Sequence, residues 1–100
     1  ILLDSLGGFV SNYINTKENV WISICDEFLK EIAMFNSLVV IVIEETGWGV
    51  SPSTKIGNLF RDRLGILSQS LELISSDSWL VIQGRAINLK NISVPIKING

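Results

Sequence analysis

The stretch from Leu38 to Asp62 constrains this chain more than any other. Six consecutive apolar residues, Leu38 to Ile43, run straight into Glu44 and Glu45. A Gly47-Trp48-Gly49 turn, Pro52 and a helical pattern carrying Arg61-Asp62 follow. An apolar run without alternation reads as a strand covered on both faces, as in a parallel sheet flanked by helices. In open α/β sheets ligands bind beyond the carboxyl ends of strands. Acids and a glycine turn at this strand end therefore mark a candidate site.

The rest of the chain follows the same logic. Ile1 to Asp4 is an apolar run that stops at a carboxylate, read as a second buried strand with Asp4 on the carboxyl edge of the sheet. Leu6, Phe9, Val10, Tyr13 and Ile14 have the three-four spacing of an amphipathic helix. A longer helix runs from Val20 to Phe35, with Trp21, Ile24, Cys25, Phe28, Leu29 and Ile32 on one face and Asn19 as its expected N-cap. After the acidic loop, Ser51 or Ser53 is placed to cap a third helix. Ile56, Leu59, Phe60, Leu64, Leu67, Leu71 and Ile74 form its buried stripe. Gly57 and Gly65 within that helix cost about 1 kcal/mol each relative to Ala, which suggests close helix packing or close approach to a ligand. Trp79 to Ile82 reads as a third buried strand, and Gln83-Gly84 turns it into an antiparallel partner over Arg85 to Lys90. The tail from Asn91 either packs as an arm or frays. The order is β-α-α-β-α-β-β, an α/β arrangement with a mostly parallel sheet, right-handed crossovers and helices on both faces.

Composition narrows the function. With 47% hydrophobic and 18% charged residues, the 100-residue chain reads as one globular domain. Its eight Lys and Arg are scattered and its formal charge is −2, so nucleic acid and anionic membrane surfaces are not expected partners. The longest apolar run is far short of the roughly 20 residues that span a bilayer. Cys25 is the single cysteine, which rules out an internal disulfide and points to a cytoplasmic setting. No histidine is present, which removes Ser-His-Asp and Cys-His catalysis and histidine metal sites from these residues. The opening on Ile1 rather than methionine leads us to expect a fragment of a longer protein.

Four blocks carry a resemblance. They are Ile1-Leu2-Leu3-Asp4-Ser5-Leu6 with Val10-Ser11-Asn12, Glu44 to Pro52, Leu59 to Gly65, and Trp79-Leu80-Val81 with Gly84. In this order they resemble the adenosylcobinamide kinase/adenosylcobinamide-phosphate guanylyltransferase family of cobalamin biosynthesis, in its cyanobacterial-type form. The resemblance covers the chain to about Lys90, and the Glu-Gly-Gly-Pro block followed by Phe60-Arg61-Asp62 is its most specific part.

That resemblance implies a P-loop, RecA-like α/β fold, of which residues 1–100 would be the C-terminal part of a single domain. It implies phosphorylation of adenosylcobinamide by GTP or ATP, followed by transfer of GMP to adenosylcobinamide phosphate. It also implies a cytoplasmic homo-oligomer, such as a trimer. Asp4 would correspond to the Walker B carboxylate close to Mg²⁺. The family's Gly-x-x-x-x-Gly-Lys-Ser loop and its guanylylated histidine are absent here, and both lie upstream of Ile1 in the family's order. The segment is therefore expected to be inactive alone. Ile66 and Ser68 replace residues that are Arg and Asn in many members.

Each candidate residue also has an ordinary reading. Asp4 can be a solvated strand-end acid. Glu44 and Glu45 are neighbours in an extended segment and face opposite ways, so they do not form a dyad. Glu45 matches the family's acid and is, with Arg61, a candidate catalytic residue. Gly47 and Gly49 either permit a tight turn or let the backbone approach a nucleotide. Arg61 is a candidate for binding phosphate bidentately and Asp62 beside it a candidate nucleotide-binding residue, or the two are a solvated helix pair. Cys25 reads as a small apolar residue on its helix. A non-catalytic interaction module built on the same fold, or a different P-loop phosphotransferase, remain alternatives.

Overall fold

A computed structural model describes residues 1–43, 54–94 and 96. The elements run β1 (Leu2–Asp4), α1 (Leu6–Asn12), α2 (Glu18–Met34), β2 (Val40–Val42), α3 (Lys55–Ile74), β3 (Trp79–Ile82), β4 (Arg85–Asn88) and a single turn, α4 (Leu89–Ile92). β1 and β2 pair in parallel, Leu2 opposite Val40 and Asp4 opposite Val42, with α1 and α2 forming the connection between them. β3 and β4 pair antiparallel, with Trp79 opposite Asn88 and Ile82 opposite Arg85. Their connection is the two-residue turn Gln83-Gly84, with φ of 51° and 75°. Two successive positive φ values are what a type I′ hairpin turn requires, because its twist matches that of the strands.

The helices make the core. Leu6 and Val10 of α1, Trp21 of α2, and Leu64, Leu67 and Leu71 of α3 are buried together. Leu3, Phe9, Cys25, Phe28, Leu29, Ile32, Ile41 and Phe60 close around them. Phe9 lies at the aromatic centre. Its ring stacks on Phe28 at 4.6 Å between centroids and tilts against Tyr13 and Trp21 at 5.3 and 6.0 Å. Such offset pairs add to the area that they bury. The α3 stripe of Leu64, Leu67 and Leu71 follows the expected spacing. Its ends depart from it, since Ile56 and Ile74 are exposed.

Local details differ from the sequence reading for physical reasons. α2 starts at Glu18, with Lys17 as its N-cap residue, so Asn19 is already helical and its carbonyl accepts from Ser23 Oγ. Glu18 places its carboxylate in the first turn, where the helix dipole favours negative charge. Thr54 caps α3, its hydroxyl oxygen accepting from Gly57 N at 2.9 Å. Ser51 and Ser53 lie outside the described residues. A Cβ at Gly65 would meet nothing within 4 Å, so close packing does not account for that glycine.

The strands depart most. Leu38, Val40, Val42 and Ile43 are exposed, as are Leu2, Trp79 and Val81, while Ile41 and Leu3 pack on the helices. The strands expected to be buried on both faces are covered on one face only. Among the described residues they form two separate two-stranded sheets rather than one. Near the C-terminus the described chain touches α3 at Lys90 and at the Ile96 carbonyl, while the Val94 and Ile96 side chains are exposed. Lys90 Nζ reaches Glu72 Oε1 at 2.7 Å and donates to Glu72 O at 3.0 Å, while Gln69 Nε2 donates to Ile96 O. A cation is thereby held beside the carbonyl end of α3, where the dipole favours it.

Candidate functional site

Parallel pairing decides where the acidic groups gather. Because β1 and β2 run the same way, Asp4 stands opposite Val42 at their shared carboxyl end, and from Val42 the chain runs on through Ile43 to the acidic loop. Glu45, Gly47, Gly49, Glu44 and Trp48 lie outside the described residues. Asp4 itself is exposed, and no described side chain pairs with it.

The second half of the site lies where α1 packs on α3. Between them opens a cleft of about 610 Å³, walled by Ser11 and Ile14 on one side and by Thr54, Ile56, Gly57, Phe60 and Arg61 on the other. Thr54, a wall residue, directly follows the acidic stretch in sequence. The cleft offers a guanidinium and hydroxyls over an apolar floor. That combination suits an oxyanion such as phosphate, which guanidinium geometry can hold bidentately.

Arg61 and Asp62 are not partners in one site. Neighbours on a helix project about 100° apart. Arg61 faces the α1–α3 cleft, whereas Asp62 lines a different groove of about 560 Å³ between α2 and α3. Arg61 Nε lies 3.7 Å from Asp62 Oδ1, and the Asp62 side chain is 66% exposed. A pair of that kind contributes little. The α2–α3 groove also holds Cys25, whose thiol is pushed up to about 11, mainly by burial and further by Asp26, against the opposing pull of Arg63. It stays protonated near neutral pH and is unsuited to act as a nucleophile.

Arg63 is the residue that sequence reasoning passed over. It is 5% exposed. Its Nη1 donates to Tyr13 O at 3.1 Å, and its Nη2 donates to Thr16 O at 2.9 Å and to Glu18 Oε1 at 3.0 Å. The guanidinium carbon lies 5.1 Å from the centre of the Trp21 ring, in cation–π contact. A signal for it was present: position 63 falls on the apolar stripe three residues after Phe60 and four before Leu67.

No group of three His, Cys, Asp or Glu able to hold a metal occurs among the described residues. A single strand-end carboxylate nevertheless fits Mg²⁺ bound with a nucleotide, since that ion keeps several waters and takes one or two carboxylates plus phosphate oxygens. Among the described residues, no helix is long and apolar enough to cross a membrane.

These features define a mixed helix–strand protein with a strand-end carboxylate and an arginine-bearing cleft. The family model described as "Cobinamide kinase / cobinamide phosphate guanyltransferase" matches residues 1–89, and the chain belongs to that family. It is similar to the bifunctional adenosylcobalamin biosynthesis protein CobU of Escherichia coli (strain K12), with 35% identity over 52 residues, covering 52% of this chain and 29% of that protein. It matches the protein of the same name from Salmonella typhimurium (strain LT2) with the same identity and coverage. The matched stretch thus spans 29% of the length of these curated relatives.

Proposed function

We propose that this chain is the C-terminal part of a single-domain cobinamide kinase and cobinamide-phosphate guanyltransferase. The complete protein phosphorylates adenosylcobinamide and transfers GMP from GTP to its phosphate. The observation that carries this reading is the family match over residues 1–89, which contains every candidate site residue. The names of the two similar proteins, both bifunctional and both of adenosylcobalamin biosynthesis, point the same way.

Each residue then has a role. Arg61 binds phosphate oxygens from the α3 wall and balances the charge that builds on them during transfer. Glu45 is the cleft acid of the loop, orienting or deprotonating the attacking hydroxyl. Gly47 and Gly49 let the loop backbone approach the nucleotide, whereas Asp62, turned to the α2–α3 groove, has no part in that contact. Asp4 would hold Mg²⁺, which when bound neutralises and orients the phosphates of GTP or ATP. The segment works inside a P-loop, RecA-like sheet that completes β1–β2, in a cytoplasmic homo-oligomer, and is inactive by itself. The exposed apolar side chains and single-neighbour edges of β1, β2 and β3 support a larger sheet or assembly, because an unpaired apolar strand edge is a ready template for pairing.

The test is steady-state kinetics of the complete gene product. Wild type should transfer phosphate from GTP or ATP to cobinamide. Arg61→Ala should raise KM for the nucleotide about tenfold, the worth of one charge-assisted contact. Glu45→Gln should lower turnover. A wild type without transfer overturns the function, and unchanged kinetics in either variant removes that residue from the site.

A further inference from the structure

The geometry points to Arg63 as a positioning residue that sets the width of the α1–α3 cleft without touching its contents. The inference rests on the functional reading only in taking that cleft as the phosphate site.

The cleft has two walls on different helices, so its shape depends on what fixes α1 against α3. Apolar contacts through Leu6, Val10, Leu64 and Leu67 hold the helices together, but such contacts are non-directional and allow sliding. Arg63 supplies direction. It projects from α3 two residues after Arg61 and bonds the carbonyl of Tyr13, the C-cap of α1. Tyr13 is followed by Ile14, a wall residue, whose N–H donates to the carbonyl of Ser11, another wall residue. Arg63 is therefore one backbone step from Ile14, the wall residue just past α1, and one further hydrogen bond from Ser11, the wall residue on α1.

The same guanidinium ties Thr16 and Glu18, and Thr16 N donates back to Tyr13 O. One planar side chain thus pins the end of α1, the connection and the start of α2 to the helix that carries Arg61. Its burial makes the arrangement stiff. The guanidinium is buried although its Glu18 partner is 65% exposed, and a shorter or neutral side chain cannot reach three acceptors in one plane. Its Nε is buried with no hydrogen-bond partner, so the side chain is held by its two terminal nitrogens and the Trp21 ring. A lysine keeps the charge but replaces the fork with a point donor.

The experiment uses the full-length gene product with Arg63→Gln and the milder Arg63→Lys. Spin labels on Ser11→Cys and Ile56→Cys, in a Cys25→Ala background, report the distance across the cleft without ligand. The same variants are assayed for nucleotide KM and kcat per folded protein. A broadened distance distribution and a five- to tenfold rise in KM, with kcat within twofold, are expected for Arg63→Gln, with Arg63→Lys intermediate. Should Arg63→Gln fail to fold, Arg63→Lys carries the test. An unchanged distance distribution overturns the inference whether or not the wild type turns over. So does a lowered melting temperature with KM and kcat intact, which would make Arg63 purely structural. Absence of wild-type turnover counts against the functional reading alone, and the label distances still decide the role of Arg63.

Discussion

The helices and the strands of this chain both carry large apolar side chains but end in opposite conditions. Leu64 on α3 is 1% exposed, while Val81 on β3 is 66% exposed. A helix satisfies its own backbone and needs a partner for only one stripe, and α1, α2 and α3 provide that for each other. A strand needs neighbours at two edges and cover on two faces, and each strand described has one paired neighbour. Apolar side chains on such strands are left as exposed surface.

Measurements on the full-length protein can break or sharpen that contrast. Leu64→Ala should cost about 3 kcal/mol in chemical denaturation, since a buried leucine cut to alanine loses transfer energy and leaves a cavity. A cost below about 1 kcal/mol would show that the helical core is looser than its burial implies. Thr54→Ala should cost about 1 kcal/mol by orphaning the Gly57 N–H at the start of α3. Thr54→Asn should keep most of the stability that Thr54→Ala loses, because its side chain can accept the same bond. Val81→Ser should cost less than about 0.5 kcal/mol if β3 stays open to water. A loss near 2 kcal/mol would instead mean that the complete assembly covers this face, and would move β3 to the helical side of the comparison.

Much of the element order was legible in the residues. The stripes of α1, α2 and α3, the parallel placement of Ile1–Asp4 against the Leu38 run, and the Gln83-Gly84 hairpin all follow from spacing and turn chemistry. The caps were less so. Asn19 has the right chemistry to cap α2, but the helix begins two residues earlier than that cap requires, with Glu18 favoured in its first turn and bonded to Arg63 across the connection. Thr54 competes with Ser51 and Ser53 for one role, and local sequence does not rank hydroxyls separated by a few residues.

The candidate site divides in the same way. Asp4 at a strand end was readable, because a carboxylate that stops an apolar run sits at the edge of a sheet. The Arg61-Asp62 pair invited reading as one unit, and helix geometry separated it into two grooves. Arg63 was hidden by the habit of assigning charged residues to the solvent side.

The sequence by itself determined the family and the helical stripes, since both depend on residue identity at fixed spacing along the chain. Only the tertiary structure decided which way Arg61 and Arg63 face and what the strands bury. Those outcomes depend on contacts between residues far apart in the chain: the Tyr13, Thr16 and Glu18 oxygens that gather around Arg63 lie 45 to 50 positions from it and become neighbours only when α1 and α2 pack on α3.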